Sequence, residues 1–391
     1  MPSGPVHLRG ELRGEEASPG VNDAVVVGRV LREYHARGID PAALRRVGGA
    51  VQSGIVTYLV HPDGAGPWVV RACRADAPVP IHVSGSPATM QDWLLSRAAT
   101  LDCLEAAGYP APRVVRTRPG DPVGTDGMWL TLATTFVEGP VIRPSLAQLR
   151  MLGMALGRLH ALDVAGGAVE GGSRDVAGAV PGRGGQGGAG RASWYPEAAI
   201  PATLARLDAV RALIPDDWQS LYAQFGRTVR AVQRGLGELP RGVVHGDAWP
   251  GNAVQTGPGS VTLIDWETSG LGLPVLDLGH CLIESLLDAQ PSADGPAAWL
   301  VEPDEDRVGA VAAGYASQRR LGEAELALLP EAVRFGACYV GAIHLYRALA
   351  EGVSGTSMDA RLERLRNRVA VSEAVARLAA RHLTDGAETI R

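Results

Sequence analysis

The sequence predicts an α+β chain in two parts: an antiparallel sheet with one helix through residue 138, then a mainly helical remainder. Three observations carry this prediction. Short β-branched runs split by Gly, Pro and Asp turns crowd residues 44–73 and 114–137. Leucines at helical spacing take over from Leu146. Among the later helices lies one dense polar stretch, residues 242–267, where two apolar stubs each end in acidic residues.

The elements follow in order. Residues 1–22 are polar, with Gly, Pro and paired glutamates, and read as a flexible tail. Val26, Val30, Leu31 and Tyr34 sit at helical spacing after Asp23, a natural N-cap. Leu44–Val51, Ile55–Val60 and Trp68–Cys73 read as strands, with Pro62-Asp63-Gly64 as turn chemistry. Pro87–Ala107 is a helix that stops at Gly108. Val114-Val115 and Trp129–Val137 are further strands, and Glu138-Gly139-Pro140 ends the sheet region. We place the boundary there: residues 23–138 form one part and 139–391 the other.

Leu149, Leu152, Leu156 and Leu159 make one stripe of a helix over Leu146–Leu162. His160, near its end, reads as a core histidine bonded to backbone. Residues 163–193 are dominated by Gly and Ala and bury too little to fold, so they read as a mobile insert. Helices follow over Ile200–Leu213, Asp217–Leu236, Leu273–Leu287, 305–318, 322–351 and 358–383.

Bulk numbers narrow the function. A chain of 391 residues, 46% hydrophobic, can bury a large core. Its net charge of -5 gives no basic footprint for nucleic acid. There is no apolar run of bilayer length and no apolar signal segment, so neither membrane nor export is expected. Cys73, Cys103, Cys281 and Cys338 are scattered, which reads as reduced thiols in a cytoplasmic protein. Monomer and homodimer both stay open. The chain contains no lysine, so every side chain counted under Lys+Arg is an arginine.

Chemistry concentrates in residues 242–267. Val243-Val244 leads into His245-Gly246-Asp247, Asn252 follows five residues later, and Val261–Ile264 leads into Asp265-Trp266-Glu267. A hairpin of the two stubs would bring Asp247, Asn252 and Asp265 to one edge. Phosphoryl transfer needs a carboxylate to orient an attacking hydroxyl, and oxygen ligands for Mg²⁺. Asp247 suits the first task; Asn252 and Asp265 suit the second.

This stretch resembles the catalytic segment of the aminoglycoside phosphotransferase and choline kinase family, which has a two-lobed protein-kinase-like fold. The pattern H-G-D-x-x-x-x-N followed by a strand and D-W-E is complete here. The resemblance implies that Asp247 is the catalytic base and that Asn252 and Asp265 hold Mg²⁺, with Glu267 on a metal-bound water or second ion. Asp277 would brace the loop around His245. ATP or GTP would be the donor, with Arg71 and Ser53 on its phosphates and the backbone around Phe136 to Glu138 on its base. A small hydroxyl-bearing molecule would be the acceptor: an antibiotic, an amino sugar or a biosynthetic intermediate.

One departure stands out. The helix over Pro87–Ala107 should supply a glutamate to the basic residue on the third strand. Arg97 stands at that position, and Asp102 and Glu105 are the nearby acids. That departure supports an alternative, a pseudokinase that binds nucleotide and regulates. The run 264–310 holds ten acids and one arginine, Arg307. It reads either as a solvated acidic loop or, through Glu284 and Asp288, as a negative pocket for an amine.

Overall fold

The computed structural model describes residues 27–34, 44–48, 54–77, 79, 89–163, 199–237, 239–286, 302–350 and 358–385. The expected tail, Asp23, Ser53, Asp288 and all of the Gly-rich insert except Asp163 lie outside these residues. The chain divides into two compact units, with the break at Gly139 and Pro140.

The first unit is a six-stranded antiparallel sheet with helices. Its strands are β1 (Arg45–Gly48), β2 (Ile55–Val60), β3 (Trp68–Arg74), β4 (Val114–Val115), β5 (Val123–Thr125) and β6 (Trp129–Thr135). They run β1-β2-β3-β6-β4, with β5 also on β6. Side chains alternate across a strand, so Trp68, Val70 and Ala72 share one face. They pack with Val27, Val30, Leu31 and Tyr34, of which residues 27–31 form helix α1. The Tyr34 hydroxyl donates to the Thr131 carbonyl at 2.9 Å, tying that helix to β6. Arg71 therefore lies on the opposite face of β3, partly exposed.

Helix α2 (Met90–Ala106) starts where the Thr89 side chain accepts the Asp92 amide. It stops at Gly108, whose φ of 67° lets Gly108 and Tyr109 bond back to Glu105 and Leu104. Met90, Trp93, Leu94, Ala98, Leu101 and Leu104 form its buried stripe, and Arg97 sits in that stripe at 3% exposure.

The second unit holds helices α3 (Leu146–His160), α4 (Ala199–Val210), α5 (Gln219–Gly235), α6 (Pro274–Glu284), α7 (Glu305–Ala316), α8 (Glu323–Ala350) and α9 (Met358–Asp385). Ser145 caps α3 together with Gln148, whose side chain takes the Arg143 amide at 3.1 Å. Glycines set the crossings that matter for the site. A Cβ on Gly314 would strike the backbone of Arg150, so α7 lies directly on α3 and brings Tyr315 to His160. A Cβ on Gly336 would lie 2.8 Å from the His280 Cα, so α8 lies equally close on α6.

The expected catalytic hairpin is corrected by the structure. The two stubs do not pair with each other. β7 (Gly242–Val244) pairs with β10 (Gly270–Gly272), and β8 (Ala253–Gly257) pairs with β9 (Ser260–Leu263). One hairpin is thus nested in sequence inside the loop of the other. Side chains join them instead, as described next.

Among the described residues no helix is long and apolar enough to cross a membrane. All four cysteines are free, and Cys73, Cys281 and Cys338 are buried.

Candidate active site

The loop after β7 is clamped from below. Asp277, on the first turn of α6 and fully buried, accepts the His245 amide at 2.7 Å and the Gly246 amide at 3.0 Å, one on each oxygen. Gly246 has φ of 81°, and a Cβ there would lie 2.6 Å from the Thr268 carbonyl oxygen. Only glycine fits that position without strain. The buried His245 ring does the joining: Nε2 donates to the Ile264 carbonyl at 2.9 Å, and Nδ1 accepts the Asp247 amide at 3.3 Å. Its ring lies 4.5 Å from that of Trp266. Burial holds His245 below the usual imidazole pKa, so it is neutral with the proton on Nε2.

Asp247 projects from this clamped loop with 40% of its side chain exposed. Its Oδ1 accepts from His280 Nε2 at 3.2 Å. Its Oδ2 accepts from Asn252 Nδ2 at 2.8 Å, and the same Nδ2 donates to the Asp247 carbonyl at 3.0 Å. Burial pushes the Asp247 carboxyl up, but the hydrogen bond from His280, the neighbouring imidazoles and the Asn252 bond together hold it below the ordinary carboxylate value. It is an anion at neutral pH, oriented by two donors, with an open side for a hydroxyl.

His280 was not anticipated from the sequence. A lone histidine in the apolar helix P-V-L-D-L-G-H-C-L-I-E reads as packing. The available signal was its position three residues after Asp277, which puts both side chains on adjoining parts of one helical face.

Asp265 stands between β9 and the turn Trp266–Thr268, with φ and ψ both 63°. It is the one non-glycine residue with positive φ among the described residues. Such a conformation costs free energy and needs local support. Here the Ile264 amide bonds to the Asn252 carbonyl at 2.9 Å, and Trp266 Nε1 donates to the Leu263 carbonyl at 2.9 Å. Asp265 is exposed and Glu267 half-buried.

The donor set fits a hard divalent cation. Both Asn252 Nδ2 bonds go to Asp247, which leaves Oδ1 as the amide's oxygen donor. Asp265 adds an exposed carboxylate. Among the described residues no three His, Cys, Asp or Glu side chains gather as a metal group. An amide and a carboxylate match an ion that keeps several waters and takes phosphate oxygens for the rest.

Behind the clamp runs a buried chain of hydrogen bonds. His160 Nε2 donates to Asp277 Oδ2 at 3.1 Å, and both side chains are fully buried. The Tyr315 hydroxyl lies 3.0 Å from His160 Nδ1, and Arg319 donates to Tyr315 at 3.0 Å and to Glu325 at 2.8 and 3.1 Å. Burial holds His160 below the usual value, so Nδ1 accepts from Tyr315 and Nε2–H faces Asp277. His160 thus bonds to side chains, where the sequence led us to expect backbone.

Other expectations are altered. Glu284 does not line an open acidic wall: it is 6% exposed and ion-paired with Arg368. The Phe136 amide is already bonded to the Pro67 carbonyl at 2.9 Å, so only its carbonyl remains to offer, and Glu138 is exposed. Asp102 pairs with Arg116 at 2.5 Å and Glu105 with Arg113 at 3.6 Å, so neither is committed to Arg71. Tyr315 and Tyr339, which sequence alone reads as core by default, are indeed buried: Tyr315 in the bracing chain, and Tyr339 stacked on Phe335 with ring centroids 5.5 Å apart.

The model of the phosphotransferase enzyme family matches residues 52–311. The chain belongs to that family. This phosphotransferase-family chain is 28% identical to the homoserine kinase of Methylocella silvestris over 243 residues, 60% of this chain and 63% of that protein. It therefore spans under two thirds of that curated relative. Among solved structures, an amicoumacin kinase in complex with AMP-PNP, Ca²⁺ and Ami superposes with a TM-score of 0.62. It is 15% identical, with 90% of this chain and 94% of that chain covered. A microcompartment-associated aminopropanol kinase gives 0.53 at 19% identity, covering 93% and 98%. These likenesses establish the two-lobed kinase-like fold.

Proposed function

We propose that this chain is a small-molecule kinase that moves the γ-phosphate of ATP or GTP to a hydroxyl of a small polar acceptor, with Mg²⁺. The observation that carries the reading is the seating of Asp247: anionic, half-exposed, and held through both oxygens by His280 and Asn252 on a loop clamped by Asp277. Asp247 accepts the acceptor's hydroxyl hydrogen and aims its oxygen; it takes the proton as the new bond forms. Asn252 and Asp265 would hold the divalent ion with Glu267 beside them, and the ion would supply neutralisation of phosphate charge. Arg71 and Ser53 grip phosphate oxygens, and the strand end at Phe136 to Glu138 meets the base.

The curated relative's name adds an amino acid to the acceptor classes, and the amicoumacin and aminopropanol kinases add amine-bearing alcohols. The reading is tested by measuring nucleotide turnover against a panel of hydroxyl compounds with native protein and Asp247→Ala. Acceptor-dependent turnover in the native protein, lost in the variant, supports it; equal turnover in both refutes it.

A second reading, a nucleotide-binding pseudokinase, draws on Arg97. Where a glutamate would pair with the strand cation, α2 buries an arginine, and burial pulls its guanidinium down to about 9. Mg²⁺-dependent nucleotide binding with no transfer to any acceptor would favour this alternative.

A further inference from the structure

The pattern H-G-D-x-x-x-x-N leaves four positions open, and this chain fills one of them with a tryptophan, Trp249. The other described tryptophans have partners. Trp68, Trp93, Trp129 and Trp266 are buried, and Trp218 carries the Arg366 guanidinium 4.2 Å above its ring. Trp249 is half-buried, and no ring or cation among the described residues stacks on it.

Its placement follows from the loop. The backbone at Trp249 is extended, with φ of -154° and ψ of 168°. Along Asp247-Ala248-Trp249 the middle side chain is fully buried and the outer two are partly exposed. Every second side chain of an extended stretch shares a side. Asp247 and Trp249 therefore open toward the same side of the loop, with Cα atoms at most ~7 Å apart. The ring is also held. Asn252 closes the loop on itself: its side-chain amide bonds to Asp247, and its backbone amide donates to the Trp249 carbonyl at 2.9 Å. A Cβ on Gly251 would strike the six-membered ring of the indole, so the glycine makes room for that ring against the loop backbone. Leaving part of a large apolar surface in water costs free energy that a small residue here would avoid. Two residues from the base, that surface lies where the molecule bringing the hydroxyl must arrive.

We propose that Trp249 is the specificity-determining wall of the acceptor site. The carbon skeleton that carries the reacting hydroxyl packs on the open part of the indole. That contact aims the hydroxyl at Asp247 and keeps water from taking its place. Water competes directly with the acceptor. Its oxygen would bond to the γ-phosphorus and its proton would go to Asp247. The bond from the γ-phosphorus to the bridging oxygen would break, and its electron pair would leave with the diphosphate. Without the wall, this hydrolysis gains on transfer. The proposal rests on the kinase reading above and adds to it the residue that selects the acceptor over water.

The experiment measures kcat and KM with ATP and Mg²⁺ for three probes: L-homoserine, 3-aminopropanol and spectinomycin. Each is run with the native chain, Trp249→Ala, Trp249→Leu and Trp249→Phe. Free phosphate and phosphorylated acceptor are measured separately, and thermal melting checks folding. For each probe that the native chain phosphorylates, Trp249→Ala should raise the acceptor KM roughly tenfold, the effect of one good aromatic contact. Nucleotide KM should stay unchanged, and more free phosphate should form per acceptor phosphorylated. Trp249→Phe keeps a flat ring and should restore most of both. Trp249→Leu, apolar but not flat, should resemble the alanine variant and replaces it in the test if alanine prevents folding. Native acceptor KM and native coupling in a folded alanine or leucine variant overturn the assignment. So does a raised nucleotide KM with acceptor KM unchanged, or a phenylalanine variant as impaired as the alanine one. Those results leave the kinase reading standing; phosphorylation of no probe by the native chain overturns both.

Discussion

The catalytic loop and the third strand of the sheet, the two regions with charged work to do, are built differently. Around Asp247 the named polar groups are held by others: Asp277 on two amides, His245 on the Ile264 carbonyl, Asn252 and His280 on Asp247, and His160, Tyr315 and Arg319 behind. On the sheet, Arg71 occupies the expected strand, yet the adjoining helix buries a second cation, Arg97, in place of an anion. The loop is over-determined, as aiming a hydroxyl demands. A phosphate grip tolerates more variety, because an arginine's fork matches phosphate oxygens from several approaches.

This contrast can be broken or sharpened. The largest effect is expected at Asp277. Asp277→Ala strands two buried amides and the His160 ring, and should cost about 3–5 kcal/mol of stability, read by urea denaturation. A loss under about 1 kcal/mol, the size of one ordinary hydrogen bond, would show that the clamp is not the loop's support. Next comes Arg71→Met, expected to raise the nucleotide KM by roughly tenfold or more with unchanged melting. An unaltered KM would remove Arg71 from the phosphates.

Acid should act on the clamped loop in two stages. His160 and His245 have folded pKa values below the free imidazole value of about 6.5. The unfolded chain therefore takes up protons first as pH falls through 6.5. Stability is full above that point and declines down to the folded values. Asp277 is the second stage. Burial opposes its ionisation, but His160, His245 and the two amides hold it below the ordinary carboxylate range. Its contribution is present above about 3.9 and is lost as pH falls through the folded value. The melting temperature should fall from pH 7 to 5 and fall further below 4; a rise between 7 and 5 would contradict this. The smallest effect is Tyr315→Phe, about 1 kcal/mol, accompanied by a change in the His160 ring nitrogen resonances that simple loss of packing would not give.

Much of this architecture was legible in sequence. Periodicity placed α3 and the long C-terminal helices within a few residues, and Thr89, Gly108 and Ser145 explain where α2 and α3 begin or end. The strand partners were not legible. β10 is Gly-Leu-Gly, too short and too glycine-rich to carry a pattern, and β8 is Ala-Val-Gln-Thr-Gly, whose two apolar residues give no alternation although Gly257-Pro258-Gly259 marks its turn. Assigning the nearest two apolar stubs to each other was the natural error. The motif residues gave the loop's chemistry, but His280 and Tyr315 came only with the coordinates. Each sits in a helix that looks like ordinary core, and helix crossings set by glycines bring them to the loop from far away in sequence.

One measurement bears on the central claim, that Asp247 held by His280 and Asn252 performs the transfer. Acceptor phosphorylation by Asp247→Asn is compared with native protein, with nucleotide affinity and melting temperature recorded in parallel. Our account predicts that the variant turns over roughly 100- to 10,000-fold more slowly, with nucleotide binding and folding retained. Transfer at the native rate by the folded, nucleotide-binding variant would contradict it.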